Sequence, residues 1–345
     1  MGEITNKTLL EVKDLKTYFI MKDRVVKAAD GVSFTINEGE TFGLVGESGC
    51  GKSATCRSLI RLVHTPGKIV SGQILYKGKD VVKMNEHELE HLRGREIGMI
   101  FQEPMTALNP VLKIKEQLME SFKDPGLTKE QKYEKAINLL RLVGIPSPEQ
   151  RMEDYPHQFS GGMRQRTMIA IALASEPHLL LADEPTTALD VTIQDQIIKL
   201  LSNLKQELNM SMILVTHDLG AAAQMCDRIA VMYAGHIMEN ADAVTLFGRP
   251  RHPYTLGLLG SIAVNVEKGA KLVPIKGAPP DLSNMPAGCP FAPRCRYCED
   301  ICLKQLPELR EIEPGHFSRC HCVDKLKEVP GIIDLDEKGG KADGE

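Results

Sequence analysis

An eight-residue motif, GESGCGKS at positions 46–53, has residue types and spacing that could bind a nucleoside triphosphate. It fits the pattern G-x-x-x-x-G-K-[ST], in which the glycines let backbone N–H groups turn inward around phosphate oxygens. Lys52 could reach the β- and γ-phosphates, and the Ser53 hydroxyl could bind Mg²⁺. Residues 53–63 have the pattern of a following helix, whose positive N-terminal end would face the same anion.

Acidic residues and a histidine at the ends of two apolar runs could complete a hydrolytic reaction. LLLAD ends at Asp183 and is followed by Glu184, and MILVT is followed by His217. Asp183 would hold Mg²⁺, and Glu184 would polarise the attacking water. His217 could lie beside the γ-phosphate, although a histidine at such a place, taken alone, is more often a satisfied buried residue.

The elements that must position these residues belong to an α/β fold. Continuous apolar runs are typical of strands in a parallel sheet with helices between them. They lie at residues 41–46, 97–102, 179–183, 212–217 and 228–235. Residues 9–42 and 71–80 have the turns and alternation of short strands and exposed hairpins. Residues 105–165 change to helical spacing, which predicts a helical insertion.

Composition excludes several classes of protein. A net charge of −4 gives no support for a general nucleic-acid binder, and 42% hydrophobic with 26% charged residues is ordinary for a soluble globular chain. No apolar stretch approaches the ~20 residues that a spanning helix needs. The N-terminus carries early acids and no apolar core, so it is not a secretory signal. We therefore expect a cytoplasmic protein that could dock on a membrane protein.

Six of the nine cysteines cluster near the C-terminus. They are Cys289, Cys295, Cys298, Cys302, Cys320 and Cys322. In a reducing cytosol such a cluster is better interpreted as a metal site than as disulfides. Spacing alone leaves the metal open, with structural zinc slightly favoured over an iron–sulfur cluster, and six unligated thiols remain the plain alternative.

A second glycine-containing motif points to one family among the proteins that bind nucleoside triphosphates. FSGGMRQR at positions 159–166 resembles the LSGGQ signature of ABC-transporter ATPase subunits, with Met163 where the general signature has glutamine. The phosphate-binding motif, Gln102, Asp183–Glu184, the ALD triplet ending at Asp190, and His217 occur in that family's order. The resemblance covers residues 8–250. It implies a P-loop ABC ATPase domain with an antiparallel β subdomain and a helical subdomain, about residues 105–165.

The resemblance also implies roles for single residues. Catalysis is implied for Glu184, His217, Gln102 and Lys52, and Mg²⁺ binding for Ser53, Gln102 and Asp183. Gln102 corresponds to the Q-loop residue, and Phe19, with Tyr18 as the alternative, to the aromatic that stacks on adenine. The implied ATP contacts are Phe19, Gly46, Ser48, Gly49, Gly51, Lys52, Ser53, Ala54, Ser160, Gly161, Gly162 and Asp190. The signature would contact the ATP held by the other subunit of a head-to-tail dimer.

Further segments resemble the ATP-binding subunits of oligopeptide and dipeptide importers. They are FQEPMTALNP (101–110), RHPYTLGLL (251–259) and the GCPFAPRC run with its later cysteines. The implied partners are a second, related ATPase subunit, two membrane permease subunits and, indirectly, an external peptide-binding protein. Nickel or short-sugar import is the alternative cargo. Within this resemblance Cys289, Cys295, Cys302 and Cys320 would hold a [4Fe–4S] cluster, with Cys298 and Cys322 as spare thiols and zinc as the alternative metal.

The predicted organisation is an ABC domain at 1–250, a small Cys-rich C-terminal domain at 251–323 and a loose tail at 324–345. The predicted location is the cytoplasmic face of the cell membrane, as a peripheral subunit. Two rival interpretations are a soluble, non-transport ABC ATPase and a regulatory metal-binding adaptor with a degenerate ATPase. A single cassette argues against the first, and intact Glu184 and His217 against the second. The sequence leaves the cargo and the identity of the dimer partner open.

Overall fold

The computed structural model describes residues 7–103, 107–261, 275–327 and 329. The chain divides into two compact units. The first unit comprises Met1–Leu9, Ile36–Thr41 and Tyr76–Val215, and the second comprises Leu10–Thr35, Phe42–Leu75 and Thr216–Glu345. The start of the predicted helical insertion, at Met105, and nearly all of the predicted tail lie outside the described residues.

Strands occur in both units. In chain order they are β1 (Thr8–Ile20), β2 (Val25–Asn37), β3 (Thr41–Val45), β4 (Gly67–Tyr76), β5 (Lys79–Asp80), β6 (Ile97–Ile100), β7 (Leu179–Asp183), β8 (Ser211–Thr216), β9 (Arg228–Tyr233), β10 (His236–Asp242), β11 (Arg310–Glu313) and β12 (His316–Ser318). The strands predicted within residues 9–42 are longer than expected, because β1 and β2 have 13 residues each.

The α-helices are shorter on average than the segments between them. In chain order they are α1 (Lys52–Ser58), α2 (Glu86–His91), α3 (Ile114–Ser121), α4 (Lys129–Leu142), α5 (Pro148–Arg151), α6 (Gly161–Leu173), α7 (Val191–Glu207), α8 (Leu219–Met225), α9 (Ala243–Gly248), α10 (Pro253–Leu259) and α11 (Asp300–Lys304). None of the helices in the described ranges combines the length and the apolar character that crossing a bilayer would require.

In the first unit, β6, β7 and β8 form parallel pairs with β7 in the centre. Every residue of β7 is buried, which is why its sequence is a continuous apolar run ending in an acid. Helices α3, α4 and α6 pack against one another in the same unit. These helices lie within or close to residues 105–165, where the sequence has helical spacing.

In the second unit, β3 pairs in parallel with β9, and β9 continues through antiparallel pairs to β10, β12 and β11. A smaller sheet places β1 between β2 and β4. The helix predicted over residues 53–63 is shorter than expected: α1 begins at Lys52 and ends at Ser58. Arg61 has a φ of 52°, and this left-handed backbone ends the helical path.

Candidate ATP-binding and hydrolysis site

The glycine-rich loop between β3 and α1 is pinned by close backbone packing in the second unit. Gly46 has a φ of 155° and Gly51 a φ of 105°. A Cβ on Gly46 would overlap the carbonyl oxygen of Met232, and a Cβ on Gly51 would overlap that of Ala28. Only glycine fits at these two positions, so the loop has one path between the neighbouring strands.

Lys52 occupies the mouth of this loop. Its Nζ donates to the carbonyl oxygen of Gly46 at 2.8 Å and to that of Glu47 at 3.0 Å, and the residue is only 4% exposed. Ser48 and Gly49 form the exposed turn of the loop, and Ser53 and Ala54 are half-buried in the first turn of α1. The ammonium and the loop thus belong to one small region that suits a phosphate chain.

Glu184 and Gln102 lie together in the first unit, as the sequence predicted for residues of one site. The Gln102 Nε2 donates to Glu184 Oε2 at 3.1 Å, and the Thr187 hydroxyl donates to the same oxygen at 2.8 Å. Glu184 follows the buried end of β7 and adopts a left-handed φ of 48°, with its N–H bonded to the Val215 carbonyl oxygen at 2.9 Å. Thr187 is a contact that sequence reasoning did not single out.

The signature motif begins a helix. Ser160 is the N-cap of α6, and its Oγ accepts from the Met163 N–H at 3.3 Å. Asp190 caps α7 in the same way, with Oδ1 accepting from the Ile193 N–H at 2.9 Å. A Cβ on Gly162 would lie 3.1 Å from Cγ2 of Ile193, so the signature turn packs directly on the first turn of α7.

His217 and Phe19 are both in the second unit. His217 is exposed, which argues against the alternative of a buried histidine. The next residue, Asp218, caps α8 by accepting from the Gly220 N–H at 2.7 Å. Phe19 is half-buried on β1, whereas the neighbouring Tyr18 hydroxyl is engaged with Asp30 at 2.7 Å. Phe19, with Tyr18 as the alternative, stays the prediction for the aromatic that stacks on adenine.

The donors proposed for magnesium have suitable chemistry. Mg²⁺ prefers hard oxygen ligands, and Ser53, Gln102 and Asp183 offer a hydroxyl, a carboxamide and a carboxylate. Asp183 is fully buried at the end of β7, a position where a carboxylate needs a compensating charge or hydrogen bonds. The residues present therefore fit a magnesium–nucleotide complex.

The prediction of a [4Fe–4S] cluster on Cys289, Cys295, Cys302 and Cys320 is wrong, and the zinc alternative fails with it. Within the described ranges, no three side chains of His, Cys, Asp or Glu are placed so that they could share a metal ion. Burial raises the pKa of the Cys289 thiol to about 11 and that of Cys320 to about 12.

Sheet pairing and aromatic packing organise the C-terminal segment instead. Strand β12 pairs with β10, and the Cys289 N–H donates to the Cys302 carbonyl oxygen at 2.7 Å. The Phe291 ring lies 5.4 Å from the Tyr233 ring and 5.3 Å from the Tyr254 ring, between centroids. The rings that pack here are far apart in the chain, so no local pattern indicated them.

One contact to the glycine-rich loop was missed entirely. Arg294 forms a two-pronged ion pair with Glu47, at 2.6 and 2.9 Å, and the Glu47 N–H donates to the Tyr254 hydroxyl at 2.9 Å. Glu47 is a variable position of the motif, and 247 residues separate it from Arg294. No local pattern could have indicated this pair.

Comparison with known proteins agrees with the motifs. Residues 29–187 match the ABC transporter family, and residues 238–302 match the family described as the oligopeptide/dipeptide transporter C-terminal region. The oligopeptide transport ATP-binding protein OppD of Bacillus subtilis is 49% identical, over 90% of this chain and 87% of its own length. The oligopeptide transport ATP-binding protein AppD of the same organism is 50% identical, over 92% of this chain and 98% of its own.

Solved structures agree on the fold. A dimeric, post-hydrolysis structure of the ATP-binding cassette MJ0796, bound to ADP and Pi, is similar with a TM-score of 0.62 and 29% identity. The similarity extends over 68% of this chain and 98% of the cassette. The fold is thus the P-loop ABC ATPase fold, with mixed sheets and helices. Together with the nearly full-length relatives, this shows that the chain belongs to the ABC ATPase family, in the group of oligopeptide and dipeptide transport ATP-binding proteins.

Proposed function

We propose that this chain is the ATP-hydrolysing subunit that powers import of dipeptides and oligopeptides through a membrane ABC transporter. The observation that carries the proposal is identity of 49% and 50%, over nine tenths of the chain, to relatives named oligopeptide transport ATP-binding proteins. The match of residues 238–302 to the transporter's C-terminal region adds independent support. The relatives favour peptides over nickel or short sugars as the cargo.

The phosphates of ATP bind at the loop 46–53. Backbone N–H groups of Ser48, Gly49 and Gly51 turn toward the phosphate oxygens, and Lys52 moves its ammonium onto the β- and γ-phosphates. Phe19 stacks on the adenine. Ser53, Gln102 and Asp183 would hold Mg²⁺, which would supply positive charge against the phosphate oxygens.

Glu184 acts as the base for hydrolysis. Its carboxylate accepts a proton from the water that attacks the γ-phosphate in line, while Gln102 and Thr187 fix the orientation of that carboxylate. His217 and Lys52 donate hydrogen bonds to the γ-phosphate as negative charge develops on it. Ser160, Gly161 and Gly162 of a second subunit would donate to the same phosphate group, and Asp190 would link the two subunits.

The working unit is a head-to-tail dimer, with a related, non-identical ATPase as the partner, on two membrane permease subunits. A peptide-binding protein on the far side would deliver the cargo. In this arrangement residues 1–250 form the ATP-binding domain, 251–323 the importer-type extension and 324–345 a tail. The chain would lie peripherally on the cytoplasmic face of the membrane.

The direct test is Glu184→Gln in the assembled transporter. The amide keeps the size and the acceptor oxygen but cannot take the proton, so we expect hydrolysis to fall on the order of 100-fold with nucleotide affinity retained. Phosphate release and equilibrium nucleotide binding measure the two quantities. Uptake of labelled peptides, compared with uptake of nickel, tests the cargo.

The matched control is Glu207→Gln, the same change at an exposed residue at the end of α7. It should hydrolyse ATP at the wild-type rate. Normal turnover in the Glu184 variant would remove Glu184 from the mechanism, and a transporter that takes up nickel but no peptide would refute the cargo.

A further inference from the structure

The second residue of the glycine-rich loop, Glu47, is held by the C-terminal extension. Its two carboxylate oxygens accept from Arg294 NH1 at 2.6 Å and NH2 at 2.9 Å, and its backbone N–H donates to the Tyr254 hydroxyl at 2.9 Å. The fork-on-fork geometry fixes both the position and the direction of the carboxylate. Both the backbone and the side chain of Glu47 are thus attached to residues beyond position 250.

Arg294 is itself immobilised. Its Nε donates to the Lys276 carbonyl oxygen at 3.0 Å, NH1 also donates to the Tyr233 hydroxyl at 3.2 Å, and NH2 also donates to the Ile275 carbonyl oxygen at 3.4 Å. All five N–H donors of the guanidinium therefore have acceptors. The side chain is only 5% exposed, and the guanidinium lies 5.7 Å from the Tyr233 ring centroid and 5.9 Å from that of Phe291. A group held this way acts as a fixed positive charge.

The position of Glu47 makes that charge important. The carbonyl oxygen of Glu47 accepts from Lys52 Nζ at 3.0 Å, so the residue lies at the mouth where phosphates would bind. A carboxylate there without a partner would repel the phosphate chain and would compete for the lysine. The ion pair to Arg294 neutralises the carboxylate, so that it neither repels the phosphate chain nor competes for Lys52.

We propose that Arg294 is a positioning residue for ATP binding: through its ion pair with Glu47, the C-terminal extension neutralises and shapes the phosphate-binding loop of this same chain. The inference rests on the proposed role of that loop in binding ATP. It gives the extension a direct part in nucleotide affinity, in addition to packing. Tyr254 supports the same residue from its backbone side.

The test is equilibrium binding of a fluorescent ATP analogue to the full chain carrying Arg294→Gln. Loss of the neutralising charge should weaken binding about tenfold, equivalent to about 1.4 kcal/mol. The matched control is Arg296→Gln, an exposed arginine in the same segment whose guanidinium lies 4.9 Å from the Tyr297 ring centroid. The control should bind as tightly as the wild type.

The double variant Glu47→Gln with Arg294→Gln separates charge from packing. If Arg294 acts by neutralising Glu47, removing both charges should restore affinity to within about threefold of the wild type. Equal weakness of the single and double variants would overturn the proposal, because packing loss is not repaired by changing Glu47. Unchanged affinity in the single variant would overturn it as well.

Arg294→Lys decides the question if the glutamine variant does not fold. It keeps the positive charge but loses the fork, so we expect a loss of about threefold, and a loss of tenfold or more would contradict neutralisation. Failure of the proposed function is distinguishable from these results. It would appear as wild-type chain that binds no ATP analogue, or as normal hydrolysis in Glu184→Gln, independently of Arg294.

Discussion

The phosphate-binding loop and the signature turn are both glycine-containing turns that lead into a helix, but they are held in different ways. In the loop, backbone carbonyls of two neighbouring strands leave no room for a Cβ at Gly46 or Gly51, and Lys52 is buried. In the signature turn, Ser160 and Gly161 are exposed, one cap bond closes the turn, and the tightest neighbour is a side chain, Ile193.

The difference teaches what each turn can do alone. A loop with one path and a buried lysine is a preorganised anion site within its own unit. An exposed cap with outward-facing N–H groups is open to an anion that another molecule brings. The proposed dimer, in which the signature meets the partner's ATP, agrees with this contrast.

The largest effect on ATP affinity should come from adding a methyl group at Gly51. In Gly51→Ala the new Cβ overlaps the Ala28 carbonyl oxygen, so the loop must move, and a distortion of about 3 kcal/mol would lower ATP affinity roughly 100-fold. Gly49→Ala is the matched comparison, because Gly49 also has a positive φ, 77°, but its Cβ would meet nothing within 4 Å. Equal losses in the two variants, measured by nucleotide binding, would show that backbone conformation rather than crowding limits the loop.

The next-largest effect is a loss of stability at low pH, and it concerns α10, which supports the phosphate-binding loop. His252 is buried and accepts from the Tyr254 N–H at 3.0 Å, and burial lowers its pKa to about 3. In the unfolded state the imidazole has its usual pKa of about 6.5, so below that pH the unfolded state binds a proton that the folded state does not. The free energy of unfolding therefore falls as the pH drops below about 6.5. At pH 5 the loss from this one group should be about 2 kcal/mol.

Urea unfolding at pH 7 and pH 5 measures this loss of stability. In His252→Asn, which keeps a helix cap, most of the loss should disappear. His157→Asn is the control on the signature side, where the histidine is exposed ahead of the turn, and it should keep the wild-type pH dependence. If His252→Asn leaves the pH dependence unchanged, His252 does not carry the acid sensitivity.

The smallest effect is expected at the signature. Ser160→Ala should leave ATP affinity of the isolated chain unchanged and lower hydrolysis in the assembled transporter about tenfold, because in the proposed dimer the hydroxyl contacts the partner's nucleotide and not the nucleotide of its own chain. Thr128→Ala removes a cap bond of the same 3.3 Å length from α4 and controls for helix stability. A similar fall in both variants would mean that Ser160 acts only as a cap.

Contiguous motifs made most of the site predictable. The loop before α1, the cap at Ser160 and the buried strand ending at Asp183 each depend on residues within one turn or one strand, where spacing determines geometry. The signature has Met163 where the general motif has glutamine. That this replacement preserves the function of the signature stays a prediction. The length of α1 was overestimated because the left-handed residue that ends it, Arg61, is not a glycine and carries no sequence signal.

The extension was the least predictable part. Its cysteines lie on several loops and on α11, so their spacing says little about which thiols meet. A metal was inferred where strand pairing and aromatic packing supply the order. The ion pair between Glu47 and Arg294 and the hydroxyl of Tyr254 were missed for the same reason. Each joins segments whose separation in the chain exceeds 200 residues.

That separation affects the order in which the protein matures during synthesis. A ribosome makes the phosphate-binding loop early, but Arg294 becomes available only when most of the chain has emerged. At ~5–20 residues per second, the nascent chain spends on the order of ten seconds or more with Glu47 unpaired. ATP should therefore bind the nascent cassette weakly, and full affinity should arrive once the segment that carries Arg294 has been translated.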